Sequence, residues 1–161
     1  MSCADSRVPP ELLFGGAGVG ELFVARNAGN LADTATLGTI EYSSAVLGVP
    51  LIVVLGHERC GAVAAAVEVE VEVVVEVEVE VEVVEKQTAF PGSIGTMVSA
   101  IDPAAQAVKG RPGDVLDNAV RESAQRTAQQ IANRSPQAAD GRAGEAGQGQ
   151  GGGRALRPGR R

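Results

Sequence analysis

The chain has 161 residues, of which 44% are hydrophobic, 21% charged and 2% aromatic. That length suits one domain with a single buried core, and the apolar content excludes a chain disordered throughout. The formal net charge of −6 carries no message about partners, because eight of the twenty acidic residues fall between residues 67 and 85, and setting those eight aside leaves +2.

Neither a nucleic-acid nor a membrane partner is expected. No basic segment followed by an apolar stretch opens the chain, so no secretory leader is expected, and the apolar run at residues 51–55 is too short to span a bilayer. Two cysteines allow one disulfide; a cytoplasmic chain that uses reduced thiols for metal is the more economical reading.

In chain order, Cys3, Asp5 and Arg7 come first, at alternate positions of the run CADSR. A glycine-rich turn over residues 15–20 precedes ELFVAR, residues 21–26, whose apolar content predicts a short strand. Asp33 is placed to cap a helix over 34–47 that lines Leu37, Ile40, Ser44 and Leu47 along one face, and Gly48 with Pro50 stop it. LIVVL, residues 51–55, is a continuous apolar run between Pro50 and Gly56, which suits a central parallel strand buried on both faces. Strand, helix and strand in succession form a βαβ unit.

GHERCG, residues 56–61, then puts His57 and Cys60 three apart at the end of that strand, ahead of a helix-like run over 62–66. Residues 67–85 contain only Val and Glu in near-perfect alternation. Period two describes a strand with one Val and one Glu face, whereas a helix would scatter Val around its surface. As a solitary strand the tract is over-long, and it reads as a simple-repeat expansion or a sequence error. Residues 114–133 resume helical spacing through Leu116, Val120, Thr127 and Ile131, opened by Gly113 and Asp114. From 137 to 161 the composition falls to Gly, Arg, Ala and Gln, as in a disordered tail. The expected organisation is one domain over 1–136, interrupted at 67–85, and a tail over 137–161.

In open parallel sheets, ligands bind beyond the carboxyl ends of the strands, and the His57/Cys60 pair sits at such an end. If Cys3 also ends a strand, two sulfurs and one imidazole converge there. Neither motif is distinctive alone: His-x-x-Cys is common, and Asp5 with Arg7 could be a surface ion pair. The weight comes from the count, because the only two cysteines and the single histidine of the chain all fall in these two motifs. Two Cys and one His leave a fourth tetrahedral position on zinc for water or substrate, the arrangement of a catalytic rather than a structural ion. Zinc brings the pKa of its water to about 7. Two thiolates blunt that effect, so a neighbouring acceptor such as Asp5, held off the metal by the fork of Arg7, would help.

Taken together, CADSRVPPE (3–11), RNAGN (26–30), EY (41–42) and GHERCGAV (56–63) closely resemble the successive signature blocks of the β-class carbonic anhydrases. The resemblance covers residues 3–67 and resumes over 90–136, where IDPA (101–104) and NAVRE (118–122) look like the family's later helices. It implies an α/β fold, a mainly parallel sheet flanked by helices, and a lyase, carbonate dehydratase, that hydrates carbon dioxide reversibly to bicarbonate and a proton. It further implies one zinc ion per subunit on Cys3, His57 and Cys60. Asp5, paired with Arg7, would accept a hydrogen bond from zinc-bound hydroxide, or swing onto the metal as a fourth ligand in a closed, inactive state. A homodimer or higher oligomer is implied as well.

Departures from the family pattern set further expectations. Family members carry N-terminal helices and a strand before the first cysteine, whereas Met1 and Ser2 alone precede Cys3; an incomplete domain, a frayed Cys3 and a weakened subunit interface are expected. The Val/Glu tract stands where an amphipathic helix follows the His-x-x-Cys motif. The family's closing strand, of the kind GKVxVVGAxYDL, has no counterpart in residues 147–160 (GQGQGGGRALRPGR) as written. Reading their possible codons one nucleotide later permits GKVKVVGARYDLD, which implies a frameshift near residues 135–139. Two rival readings stay open: a related zinc hydrolase of carbon disulfide or carbonyl sulfide, and a non-functional fragment that does not assemble the site.

Overall fold

The computed structural model describes residues 1–71 and 90–134. Ser2–Cys3 forms β1 and Arg26–Asn27 forms β2, paired in parallel with Ser2 opposite Arg26 and Cys3 opposite Asn27. On the other side of β1, Ser2 bridges Leu55, again in parallel. The Met1 ammonium donates to Val53 O at 2.7 Å, Leu55 N to Met1 O at 3.0 Å and Ser2 N to Ala25 O at 3.0 Å. The rows therefore run 26–27, 2–3, 53–55, with β1 in the middle.

These rows correct three expectations. Residues 21–25 lead into β2 without a ladder of their own, since β1 offers only two residues to pair with. Residues 51–55 are not a strand buried on both faces: Leu51 is 71% exposed and residues 52–55 are half-buried. Their partner among the described residues is the same short row, which meets them only at Val53 and Leu55. Nor is Cys3 frayed. It is 5% exposed, and Ala4 N just beyond it donates to Asn27 O at 2.9 Å. The strand–helix–strand unit survives in coarse form, as two parallel rows with β1 inserted between them. The described residues thus make a small parallel sheet with mixed helices, compatible with the α/β class.

The helices follow capping and packing more than alternation. α1, Pro10–Leu13, is one turn begun by a proline whose fixed φ suits the first helical position. A 3₁₀ turn, Ala28–Asn30, follows β2. α2 spans Thr34–Ala45, and Asp33 Oδ1 caps it by accepting from Thr36 N at 2.8 Å. Its buried face is Thr36, Leu37, Ile40 and Ser43; Leu47 lies past the helix end and is 46% exposed.

α3, Gly61–Val71, enters the head of the Val/Glu tract as a helix rather than a strand. Cys60, Val63, Ala66 and Val67 recur at helical spacing and are all buried, so packing overrides the alternation there. The remainder of the tract and residues 135–161 lie outside the described residues, together with the repeat, tail and frameshift expectations attached to them. α4 (Gly92–Ser99), α5 (Asp102–Ala107) and α6 (Val115–Arg134) follow. Asp114 Oδ1 caps α6 by accepting from Asp117 N at 3.0 Å. Its buried face is Ala119, Val120, Ser123, Thr127 and Ile131.

α3 packs against α4, α5 and α6. The main core lies in that contact and joins Val63, Ala66, Val98, Ile101, Val108 and Ala119 to both cysteines. A smaller cluster joins Leu37 and Ile40 of α2 to Ile131 of α6. No described helix is long and apolar enough to cross a membrane.

Candidate metal centre

Three elements bring the sulfurs and the imidazole together. Cys3 ends β1, His57 follows the row at 53–55, and Cys60 immediately precedes α3. Cys3 Sγ, Cys60 Sγ and a ring nitrogen of His57 all lie within 4.8 Å of one another, and the two sulfurs are 3.9 Å apart as free thiols. All three residues are buried.

The donor set fits a cation. His57 Nδ1 lies 3.1 Å from Glu58 O, so a proton on Nδ1 donates to that carbonyl and leaves the Nε2 lone pair free. His57 Nε2 is buried and has no hydrogen-bond partner among the described residues. Such an atom is costly in a core unless it meets a cation or a donor. A ligating histidine commonly donates its second ring N–H to a carbonyl in this way. Two thiols and an imidazole are a zinc-type set with one position left over.

The sulfurs' surroundings pull in opposite directions. Burial pushes the Cys60 thiol up from its ordinary value and the nearby Cys3 adds to the rise, while the Val63 and Ala62 amides at the start of α3 favour the thiolate. A cation would resolve that conflict in favour of the thiolate.

Asp5 stands beside the cluster, held by a fork. Arg7 Nε donates to Asp5 Oδ1 at 3.0 Å, Arg7 Nη2 to Oδ2 at 2.7 Å, and the Arg7 amide also donates to Oδ1 at 2.9 Å. These hydrogen bonds and the guanidinium charge hold the Asp5 carboxyl well below the usual carboxylate range. Arg7 Nη2 reaches Arg59 O at 3.1 Å, tying the first motif to the second across 52 residues of sequence. Arg59 takes a left-handed φ of 56° to present that carbonyl. A cavity of about 160 Å³ opens beside His57, lined by Gly56, Glu58, Asp117, Val120 and Arg121.

Two supporting features are absent from the sequence reading. Arg26, read only as the last residue of ELFVAR and the first of RNAGN, spans the first motif through its side chain. Gly56 touches α6 so closely that a Cβ there would sit 3.0 Å from Val120 Cγ1 and 3.3 Å from Val120 O. Strand register would have pointed to Arg26, since it lies one residue before the partner of Cys3; nothing in local spacing points to the Gly56 contact.

The carbonic anhydrase family profile matches residues 1–140. Carbonic anhydrase 2 of Mycobacterium tuberculosis is 60% identical over 66 residues, 41% of this chain and 31% of that protein. The carbonic anhydrase of Mycolicibacterium smegmatis is 50% identical over 88 residues, 55% of this chain and 42% of that protein. That of Pseudomonas aeruginosa is 49% identical over 71 residues, 40% and 32% respectively. Each match therefore spans less than half of the relative's length. With the profile covering most of its residues, the chain belongs to the carbonic anhydrase family, in its β class.

Proposed function

We propose that this chain holds one zinc ion on Cys3, His57 and Cys60 and catalyses the reversible hydration of carbon dioxide to bicarbonate and a proton. The observation that carries this reading is the buried convergence of two thiol sulfurs and a His57 ring nitrogen, on a histidine whose Nε2 has no partner among the described residues. Bound zinc supplies Lewis acidity and lowers the pKa of water at its open position to about 7.

The chain's own groups do the rest. Asp5, kept ionised by Arg7, accepts a hydrogen bond from the attacking oxygen and so orients it. Arg7 occupies both Asp5 oxygens and keeps that carboxylate from drifting. A swing of Asp5 onto the metal is the closed alternative, and it requires both of these bonds to break. Buried Cys3 and Cys60 exclude bulk water from the sulfur side. A homo-oligomer belongs to the same reading, supported by Phe14, Phe23 and Leu51, exposed apolar residues around a cavity of about 370 Å³.

The test is to express the chain and measure bound zinc together with carbon dioxide hydration by stopped flow. Stoichiometric zinc, lost in Cys60→Ala, is expected. Asp5→Ala should keep the metal and lose about 100-fold or more in kcat. A folded, soluble wild-type chain that takes up no zinc would sink the proposal.

A further inference from the structure

The sequence begins its metal motif at Cys3, yet the side chain that spans this motif comes from β2. Arg26 Nε donates to Cys3 O at 2.9 Å and Arg26 Nη2 donates to Asp5 O at 2.6 Å. Between those two carbonyls, Ala4 N donates to Asn27 O at 2.9 Å. Cys3, Ala4 and Asp5, three consecutive residues, are therefore each bonded through one main-chain group to the Arg26–Asn27 pair.

The geometry matters because Cys3 and Asp5 carry different duties. β1 ends at Cys3 and the chain bends at Ala4, so the directions of residues 3 and 5 depend on what holds that bend rather than on strand alternation. Fixing the carbonyls of 3 and 5 to one rigid guanidinium plane fixes the twist of that segment, and with it the directions in which Cys3 Sγ and the Asp5 carboxylate leave the backbone. A planar fork with donors on separate nitrogens meets both carbonyls in one fixed geometry, whereas an ammonium has three donors on a flexible stem and imposes no such plane. Arg7 performs the complementary task at the side-chain end of Asp5.

We infer that Arg26 is a positioning residue for the metal centre, acting through the backbone of residues 3–5 to set the Cys3 thiol and the Asp5 carboxylate together. The inference rests on the zinc reading for its functional meaning, but its geometric content can be tested without metal. It places Arg26 outside the reacting atoms and gives it control over the two groups nearest them.

The experiment uses the full chain in wild-type, Arg26→Met and Arg26→Lys forms. In the metal-free proteins, iodoacetamide labelling is followed at Cys3 and Cys60 separately by mass spectrometry. Cys60 is held by α3 and serves as an internal standard. Cys3 should label about tenfold faster in Arg26→Met while Cys60 keeps its wild-type rate, with Arg26→Lys between. In the zinc-loaded proteins, chelator-driven metal loss should be about 10–100-fold faster in Arg26→Met, the range typical of partners that orient a ligand. The cobalt-substituted variant should also show an altered thiolate-to-metal absorption band.

Unchanged Cys3 labelling in Arg26→Met would overturn the inference. So would equal acceleration at both cysteines in both variants, which is the mark of general destabilisation. A wild-type chain that binds no metal but still shields Cys3 through Arg26 would remove the zinc reading and leave the clamp in place.

Discussion

At the scale of residues, Cys60 carries the sharpest pH consequence. Its thiol is raised by burial first, so in the metal-free chain it stays protonated at a pH where an unfolded cysteine already ionises. A raised folded value contributes stability below the unfolded value that is lost as pH rises through the folded one. Metal-free protein should therefore weaken on going from neutral pH into the alkaline thiol range, whereas zinc-loaded protein, with Cys60 already deprotonated, should not. Urea denaturation of both forms at several pH values reads this directly. Below the raised value, zinc affinity should climb about tenfold per pH unit for each thiol that must lose a proton, measurable by competition with a chelator of known affinity. That the two cysteines and the histidine belong together was legible from their scarcity. That Nδ1 faces a carbonyl and Nε2 faces none was not, because the ring's orientation depends on the turn at 58–59 rather than on its own position in sequence.

At the scale of elements, α6 supports the loop that carries His57. Gly56→Ala would press a methyl against Val120 Cγ1 and, more stubbornly, against the Val120 carbonyl. Overpacking of this kind costs about 1–3 kcal/mol, and because His57 is the next residue, a weaker zinc affinity should accompany the loss. Asp33→Ala is the control: it removes the α2 cap at about 0.5–2 kcal/mol and should leave zinc affinity unchanged. Thermal unfolding with parallel zinc titration separates the two. The long helices were legible because cap and periodicity agree within one short window, as at Asp33 with Leu37 and Ile40, or Asp114 with Val120 and Ile131. The strands were not, because pairs of two residues are decided by partners such as Ser2 and Arg26 that are far apart in sequence. The head of the Val/Glu tract misled for a related reason: α3 propagates into it from Gly61, and the core that receives Val63 and Ala66 is invisible to a local pattern.

At the scale of the whole molecule, Phe14, Phe23 and Leu51 are 50%, 43% and 71% exposed, more apolar surface in one place than scattered exposure explains. If these residues meet a second copy, light scattering should give a dimer or higher species for wild type and a smaller one for Leu51→Glu. An unchanged mass would remove the oligomer from the proposal. The order of the parallel rows also has a consequence for biosynthesis. β1 is synthesised before its partners but is completed by rows near residues 26 and 55, and the loop at 56 rests on Val120 and Ala124. Each such pairing must close a loop of more than about 20 residues before its contacts form, at an entropic cost. The nascent chain must therefore carry Cys3 unpaired, and then both thiols together, until α6 emerges. Its interval of greatest vulnerability to oxidation lies before folding is complete, and ends only when the last described helix is in place.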